Sequence, residues 1–257
     1  MQLTDCDPEE QRALTLLGER IGAIYLRQRL GLEGERYGGA RLSHRLIRAG
    51  LTLGGLRKRG RRNVLNIQLR HNIVPLARLP AALDGTTLLH ISDPHLDMDA
   101  GFLAHLIERV QGLRFDACVL TGDFRFHGAG AYQAVLDGLA RLRPHLGERV
   151  HAVLGNHDSI RMVPGMEQRG YPVLMNESLR WQQAGGALAV VGIDDAHYFR
   201  THNLHKAMAD VVADDCVVLL SHTPEPYRQA AHAGVDLMLS GHTHGGQLML
   251  TKNIGAG

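Results

Sequence analysis

Short apolar runs recur along the second part of the chain, and most are followed by polar residues and a turn. They have the length of strands and lie at residues 86–92, 117–122, 150–155, 187–193, 216–221 and 235–240. Between several of them, apolar positions recur with helical spacing, at residues 100–111, 129–142, 159–169 and 224–233. Strands that alternate with helices are typical of layered α/β domains. We therefore predict an α/β fold with mixed central sheets flanked by helices.

Two stretches refine the prediction for the sheets. The run CVVLL at 216–220 is apolar on both faces, which is typical of a strand covered on both sides. The segment 171–193 has no spacer of helical length. We therefore expect its parts YPVLM, SLRWQQ and ALAVVGI to form adjacent strands, two of them antiparallel.

The N-terminal part begins with a helical pattern. From Pro8 to Leu30, apolar residues recur three and four positions apart, with charged residues between them. Asp7 precedes the pattern, and proline is favoured at the first position of a helix. We predict one amphipathic helix here, ended by the glycines that begin at Gly31.

Charge divides the chain into two parts. Residues 1–85 carry 15 Lys and Arg against 8 Asp and Glu, whereas residues 86–257 carry 13 against 18. The stretch 36–83 has no acidic residue and eleven Lys or Arg, with leucines interleaved. Such a stretch is typical of three situations: it binds an anionic membrane surface, it follows a nucleic-acid backbone, or it forms the solvated face of a helical cap. Of these, we favour nucleic acid least. We predict a basic, largely helical accessory segment at 1–85 and a main domain at 86–257.

Composition also bears on location. Three cysteines in 257 residues cannot form a disulfide framework, and no apolar stretch approaches the ~20 residues of a membrane-spanning helix. The N-terminus lacks the basic-then-apolar order of a secretory signal. We expect a cytoplasmic protein, with a peripheral position on the inner face of a membrane if the basic stretch binds lipid.

Side chains that bind metals follow five of the predicted strands. Helix capping explains one such ending but not five in succession. Two divalent ions ~3.5–4 Å apart need a bridging carboxylate, mixed O and N ligands and an open position for water. The candidate ligands are Asp93, His95, Asp123, Asn156, His222, His242 and His244. Because only two of them are anionic, two bound ions would leave a positive site that attracts phosphate.

These residues carry a resemblance to a known family. Asp93-x-His95, Gly122-Asp123, Gly155-Asn156-His157-Asp158, His222 and Gly241-His242-Thr243-His244 resemble, in order, the five motifs of calcineurin-like metallophosphoesterases. The likeness covers residues 88–247, and the ending GHTHGGQ is similar to a bacterial phosphodiesterase-like subgroup.

The resemblance implies roles for the candidate residues. It implies one metal ion at Asp93, His95 and His244, a second at Asn156, His222 and His242, and Asp123 bridging both. His157 would contact the substrate phosphate and assist the leaving group, and Asp158 would orient His157. The mixed ligand set suits Mn, Fe, Zn or Co.

The expected reaction is hydrolysis of a phosphodiester or pyrophosphate bond by a bridging hydroxide, on a substrate that a membrane carries. The alternatives are a nuclease or cyclic-nucleotide phosphodiesterase and a metal-binding scaffold without turnover. Asp123 is followed by Phe124-Arg125, not the Arg-Gly of Ser/Thr protein phosphatases, which argues against that class.

Other residues receive smaller roles. Asp97 is expected in a solvated loop, and Asp194, Asp195 and His197 are candidates to line the substrate cleft. Only ten residues follow Gln247, so we expect either a truncated main domain or a sheet that closes differently.

Overall fold

Two β-sheets pack against each other in the computed structural model, which describes residues 7–35, 49–183 and 186–244. The first sheet has the order β1-β2-β3 and is parallel, and the second has the order β4-β5-β6-β7, with only β4 antiparallel to its neighbour. The strands are β1 (Leu88–Ile91), β2 (Ala117–Leu120), β3 (Val150–Ala152), β4 (Glu177–Gln183), β5 (Gly186–Gly192), β6 (Cys216–Leu220) and β7 (Leu237–Leu239).

Helices flank the sheets, and most of them pack on the outer faces. They are α1 (Pro8–Ile21), α2 (Ala23–Glu35), α3 (Leu56–Leu65), α4 (Phe102–Val110), α5 (Gln133–Leu142), α6 (Val163–Glu167), α7 (Leu204–Ala207) and α8 (Tyr227–His232). Short 3-10 turns lie at Ala81–Leu83, Arg143–His145 and Ile160–Met162.

The core is layered because side chains alternate along each strand. In β2, Cys118 and Leu120 pack on the outer helices, whereas Ala117 and Val119 pack toward the second sheet. On the far side, α7 and α8 pack on residues of β5 and β6 such as Val217. The order helix, sheet, sheet, helix confirms the predicted α/β layering and its mixed sheets.

The prediction for 171–193 is partly wrong. β4 and β5 pair antiparallel as expected, but YPVLM does not join them. It makes one parallel bridge, Val173 to Ala152, beside β3 in the other sheet. Pro172 has no backbone N–H to donate, which limits how far this segment extends a ladder.

The single N-terminal helix is also a wrong prediction, because α1 and α2 are separated at Gly22. This glycine has a φ of 96°, a conformation that other residues rarely adopt. Gly31 does not stop α2, which continues to Glu35. The predicted start is confirmed, since the Asp7 carboxylate accepts hydrogen bonds from the amides of Glu9 and Glu10.

The described parts of the N-terminal segment contact the rest of the chain in different ways. Leu14, Leu17, Ile21 and Leu26 are buried in the same core as the first sheet. Helix α3, in contrast, has no buried residue. The boundary predicted at residue 85 stays a prediction, but α1 and α2 are integral to the layered core.

Several predictions fall outside the described residues. They concern residues 36–48 of the basic stretch and the residues that follow His244, including the C-terminal end where we expect a truncated domain or a differently closed sheet. Within the described ranges, no helix is both long and apolar enough to span a membrane.

Candidate metal centre

The carboxyl ends of β1, β2, β3, β6 and β7 meet at one edge of the two sheets, where open α/β sheets bind ligands. The loops after β1 and β2 pair directly, since the Asp93 amide donates to Gly122 O at 3.0 Å and the His95 amide to Asp123 O at 3.1 Å. The loops after β6 and β7 meet in the same way, through the Gly241 amide and His222 O at 2.9 Å.

Backbone strain concentrates at this edge. Seven non-glycine residues of the described chain have positive φ, and five of them are predicted metal ligands. Their φ values are 52° for Asp93, 39° for His95, 55° for Asp123, 67° for His242 and 49° for His244. Each such residue costs ~1–3 kcal/mol, and strain of this kind clusters at functional sites.

Three predicted ligands form an open group, Asp93, His95 and His244. His244 Nε2 lies 3.3 Å from Asp93 Oδ1 and 3.4 Å from His95 Nε2. His95 Nδ1 lies 2.7 Å from Arg125 O, and donation to this carbonyl leaves the lone pair of Nε2 directed into the group.

Three others form a second group, Asp123, His222 and His242, which we call the buried group because Asp123 and His222 are buried, whereas His242 is half-buried. His222 Nε2 lies 3.4 Å from Asp123 Oδ2 and 3.3 Å from His242 Nδ1. It also lies 2.9 Å from Asn156 Oδ1, which brings the seventh predicted ligand to the same place. His222 Nδ1 lies 2.7 Å from Thr121 O, so Nε2 is again the nitrogen left for an ion.

This donor set fits divalent ions. Each group combines carboxylate oxygen with two imidazole nitrogens, and the ring orientations of His95 and His222 are held by backbone carbonyls. Such mixed O and N sets bind Mn, Fe, Zn and Co. The structure thus contains two candidate metal-binding groups, formed by residues up to 151 positions apart in the sequence.

The side chains are also strongly coupled electrostatically. Burial alone would raise the pKa of Asp123, but its hydrogen bond with His222 and the nearby histidine charges hold that pKa below its usual value. Burial lowers the pKa of His222, yet its hydrogen bond and ion pair with Asp123 raise it to about 9. The hydrogen bond with Asp93 likewise raises the pKa of His244. Protons therefore compete with metal ions for these two histidines.

His157 lies beside both groups, but the hydrogen-bond partner of its ring is not the predicted one. His157 Nδ1 lies 2.7 Å from Phe126 O, and His157 Nε2 lies 4.0 Å from Asp123 Oδ2. Asp158 does not contact this ring. Its buried carboxylate accepts hydrogen bonds from the amides of Asp123, Gly155 and Arg125, at 2.8, 2.8 and 3.2 Å. Asp158 therefore holds the loops after β2 and β3 together.

Two expectations about nearby acidic residues are corrected. Asp97 is not simply solvated, because its carboxylate accepts hydrogen bonds from the amides of Phe126 and His127. Asp194 and Asp195 do not line a cleft, since both are buried and bonded within the chain.

Arg29 has no role in the family motifs and was not predicted to support the site. Its fully buried guanidinium pairs with Asp194 at 2.6 Å and donates to the carbonyls of Gly155 and Asp158 at 3.2 and 3.1 Å. It thus ties α2 to the loop that carries Asn156 and His157. A signal existed, because Arg29 lies three positions after buried Leu26 on the apolar face of the helix.

Comparison with known proteins agrees with this geometry. Residues 86–246 match the calcineurin-like phosphoesterase family, and the chain belongs to that family. It is 30% identical over 174 residues to the uncharacterized metallophosphoesterase YkoQ of Bacillus subtilis, covering 64% of this chain and 63% of that protein. It is 34% identical over 143 residues to an uncharacterized metallophosphoesterase of Aquifex aeolicus, covering 52% of each chain.

Two further similarities are weaker or partial. A zebrafish (Danio rerio) "transmembrane protein with metallophosphoesterase domain" is 29% identical over 193 residues, which cover 68% of this chain and 44% of that one. A solved structure of an Aquifex aeolicus protein of unknown function matches with a TM-score of 0.36 and 13% identity, over 62% of this chain and 91% of that one. The chain spans less than two thirds of the length of the curated relatives named here.

Proposed function

We propose that the chain hydrolyses a phosphoester, either a phosphodiester or a pyrophosphate bond, at a centre of two divalent metal ions. The observation that supports this most strongly is the convergence of seven distant oxygen and nitrogen ligands into two adjoining groups. A scaffold that only held metal would not need His157, whose ring is oriented beside those groups with about a third of its side chain exposed.

The ligands divide as follows. We propose Asp93, His95 and His244 for one ion and Asn156, His222 and His242 for the other, with Asp123 shared. When bound, two such ions lower the pKa of a water molecule and stabilise the charge that builds up on the phosphoryl oxygens.

His157 and Asp158 have separate tasks in this proposal. Since Nδ1 of His157 donates to Phe126 O, Nε2 is the atom that meets the substrate. When protonated, it donates to a phosphoryl oxygen or to the departing alkoxide. Asp158 positions the loops and does not act on the substrate, because its carboxylate is used by three backbone amides.

Replacement of the shared carboxylate tests the proposal. We expect Asp123→Ala to lower turnover of bis-p-nitrophenyl phosphate by about a thousandfold or more, since several kcal/mol of transition-state stabilisation are lost. Elemental analysis should show metal in the native protein and less in the variant. Asp137→Ala, which removes an exposed carboxylate on α5, is the matched control. Metal-dependent turnover that survives in Asp123→Ala would refute the proposal.

We also propose that the stretch 36–83 brings the chain to an anionic membrane surface, in a peripheral position on the cytoplasmic side. Helix α3 buries no residue, and Leu53 before it is 90% exposed. Arg61 of α3 connects the helix to the main domain, because its guanidinium pairs with Asp99 at 2.7 Å. Asp99 lies in the loop that follows β1. Within the described residues, the other cations of α3 have no ion pair: Arg57, Lys58, Arg59 and Arg62.

Vesicle sedimentation tests this location. We expect the protein to sediment with phosphatidylcholine vesicles that contain phosphatidylglycerol and not with phosphatidylcholine alone. Replacing Arg57, Lys58 and Arg59 by Gln should abolish sedimentation, whereas the same change at exposed Arg109, Arg114 and Arg141 should not. Equal sedimentation of both variants would contradict the proposal, as would binding of DNA in place of vesicles.

A further inference from the structure

A pocket of about 630 Å³ adjoins the buried group beside His242. Its walls come from α2, from the loop after β5 and from the loop before α8. His197 forms the border, because its ring centroid lies 4.9 Å from that of His242. A ligand that enters the metal centre therefore has a cavity beside it, of a size that protein pockets use for small molecules.

The loop wall of this pocket is held in place. The buried Asp195 carboxylate accepts hydrogen bonds from the amides of His197, Tyr198 and Phe199. Gln28 of α2 donates from Nε2 to Phe199 O at 2.6 Å. A pocket with a fixed wall binds without the cost of ordering it first.

The helical wall of the pocket is tied to the metal centre. Arg29 lies 4.2 Å above the ring of Phe199 and also binds the carbonyls of Gly155 and Asp158. One buried guanidinium thus connects the pocket wall with the loop that carries Asn156 and His157.

The charges of the lining indicate which chemical group the pocket takes. It has one cation, Arg200, and one carboxylate, Glu225, which accepts from His197 Nδ1 at 2.7 Å. This balance gives no preference for a second phosphate or a nucleic-acid backbone, which require excess positive charge. The Glu225 carboxylate and the Gln28 side-chain oxygen accept hydrogen bonds, so the lining suits an uncharged group that donates them, as hydroxyls do.

The pocket also contains a part of the chain outside the family match. Gln28 and Leu32 belong to α2, whereas the match covers residues 86–246. The residues that match the family provide the candidate metal ligands, whereas α2, which precedes them, forms one wall of the adjoining pocket. Such an arrangement lets the N-terminal helix select substrates without altering the ligands.

We propose that this pocket is a specificity subsite that holds an uncharged, hydroxyl-bearing group, such as a nucleoside or a sugar, esterified to the phosphate under attack. The proposal rests on the proposed phosphoesterase function and adds to it the class of substrate and the role of α2.

Two phosphodiesters with the same leaving group test the subsite. We expect the protein to hydrolyse the p-nitrophenyl ester of thymidine 5′-phosphate with a kcat/KM about tenfold above that of ethyl p-nitrophenyl phosphate, the equivalent of about one or two good hydrogen bonds. Leu32→Trp, which fills the pocket from α2, should bring the ratio of the two close to one. Ile24→Trp adds similar bulk at an exposed position of α2 and should leave the ratio unchanged.

A binding measurement distinguishes failure of the subsite from failure of the reaction. Saturation-transfer NMR with thymidine and, separately, methyl glucoside should show contact with one or both in the native protein and in the control Ile24→Trp, and none in Leu32→Trp. Glu225→Gln, which keeps the shape of the wall, should weaken the same signal. If neither ester is hydrolysed while the NMR contact depends on Leu32, the reaction is wrong and the subsite stands. Equal hydrolysis of both esters, with no contact from either probe, overturns the subsite.

Discussion

The open group and the buried group share one edge of the fold but differ in their surroundings. In the buried group, the side chains of His222 and Asp123 are 0% and 3% exposed, and both are held by neighbouring main-chain or side-chain atoms. In the open group, the side chain of His244 is 30% exposed and that of Asp93 is 9% exposed. The difference indicates that the buried group is closely tied to the fold and that the open group exchanges more readily with solvent.

The two groups also differ in what supports them. The buried group adjoins a set of buried polar residues, in which Asp158 binds three amides and Arg29 binds two carbonyls. The open group lies on the loops after β1 and β7, and its main support from another loop is Arg125 O, which holds the ring of His95. A perturbation of equal size should therefore cost more at the buried group.

Removing one histidine from each group gives the largest contrast. We expect His222→Ala to lower kcat/KM about a thousandfold, because several kcal/mol of stabilisation by an ion are lost and water cannot easily replace a buried ligand. His244→Ala should cost only about 10- to 100-fold, since water reaches that position. Steady-state kinetics and elemental analysis measure both losses. Equal losses in the two variants would remove the distinction between the groups.

Substitution of Arg29 tests whether the buried polar residues near the buried group stabilise the fold. Arg29→Met leaves the buried Asp194 carboxylate without its cation, so we expect the free energy of unfolding to fall by about 3–5 kcal/mol. Urea denaturation measures this change, and Arg27→Met, at an exposed position on the same helix, is the control. The double variant Arg29→Met with Asp194→Asn should recover part of the loss. A cost below about 1 kcal/mol would show that the contacts of Arg29 contribute little to the stability of the fold.

The pH dependence of the metal-free protein gives the smallest effect. The folded pKa of His222 is raised to about 9 by Asp123, above the ordinary value of 6.5. The pair therefore contributes stability below pH 6.5 that is lost as pH rises through about 9, on the order of 3 kcal/mol. Denaturation of the metal-free protein between about pH 6.5 and pH 9.5 should show this decline, and His222→Gln should abolish it. Because an ion displaces the proton, the metal-loaded protein should lack the decline as well.

The ligand set and the layered fold were accessible from sequence. Apolar runs of strand length determine which segments enter the sheets, and β1 to β3 and β5 to β7 lie largely within the runs that predict them. The residues after those strands are the candidate ligands, and they come together because the ends of parallel strands meet at one edge. Asp93 and His244 are 151 positions apart, and it was the resemblance to the motifs of a known family that placed them in one group.

The partners of individual side chains were not accessible in this way. Asp158 follows His157 directly, but the backbone turns its carboxylate onto the amides of Asp123, Gly155 and Arg125. Arg29 looks like any helical arginine until α2 packs on the loop after β3. The helical pattern is interrupted at Gly22 and not at Gly31. The packing of α1 and α2 on the first sheet outweighs the low helix propensity of Gly31.

The sequence by itself determined the order of strands and helices and the chemistry offered at the sheet edge, since both follow from periodicity and residue type. Only the tertiary structure decided how the two candidate metal groups differ in burial, which residues hold their loops, and that α2 forms a wall beside them. These properties depend on contacts between segments far apart in the chain, and local pattern carries no record of which distant atoms become neighbours.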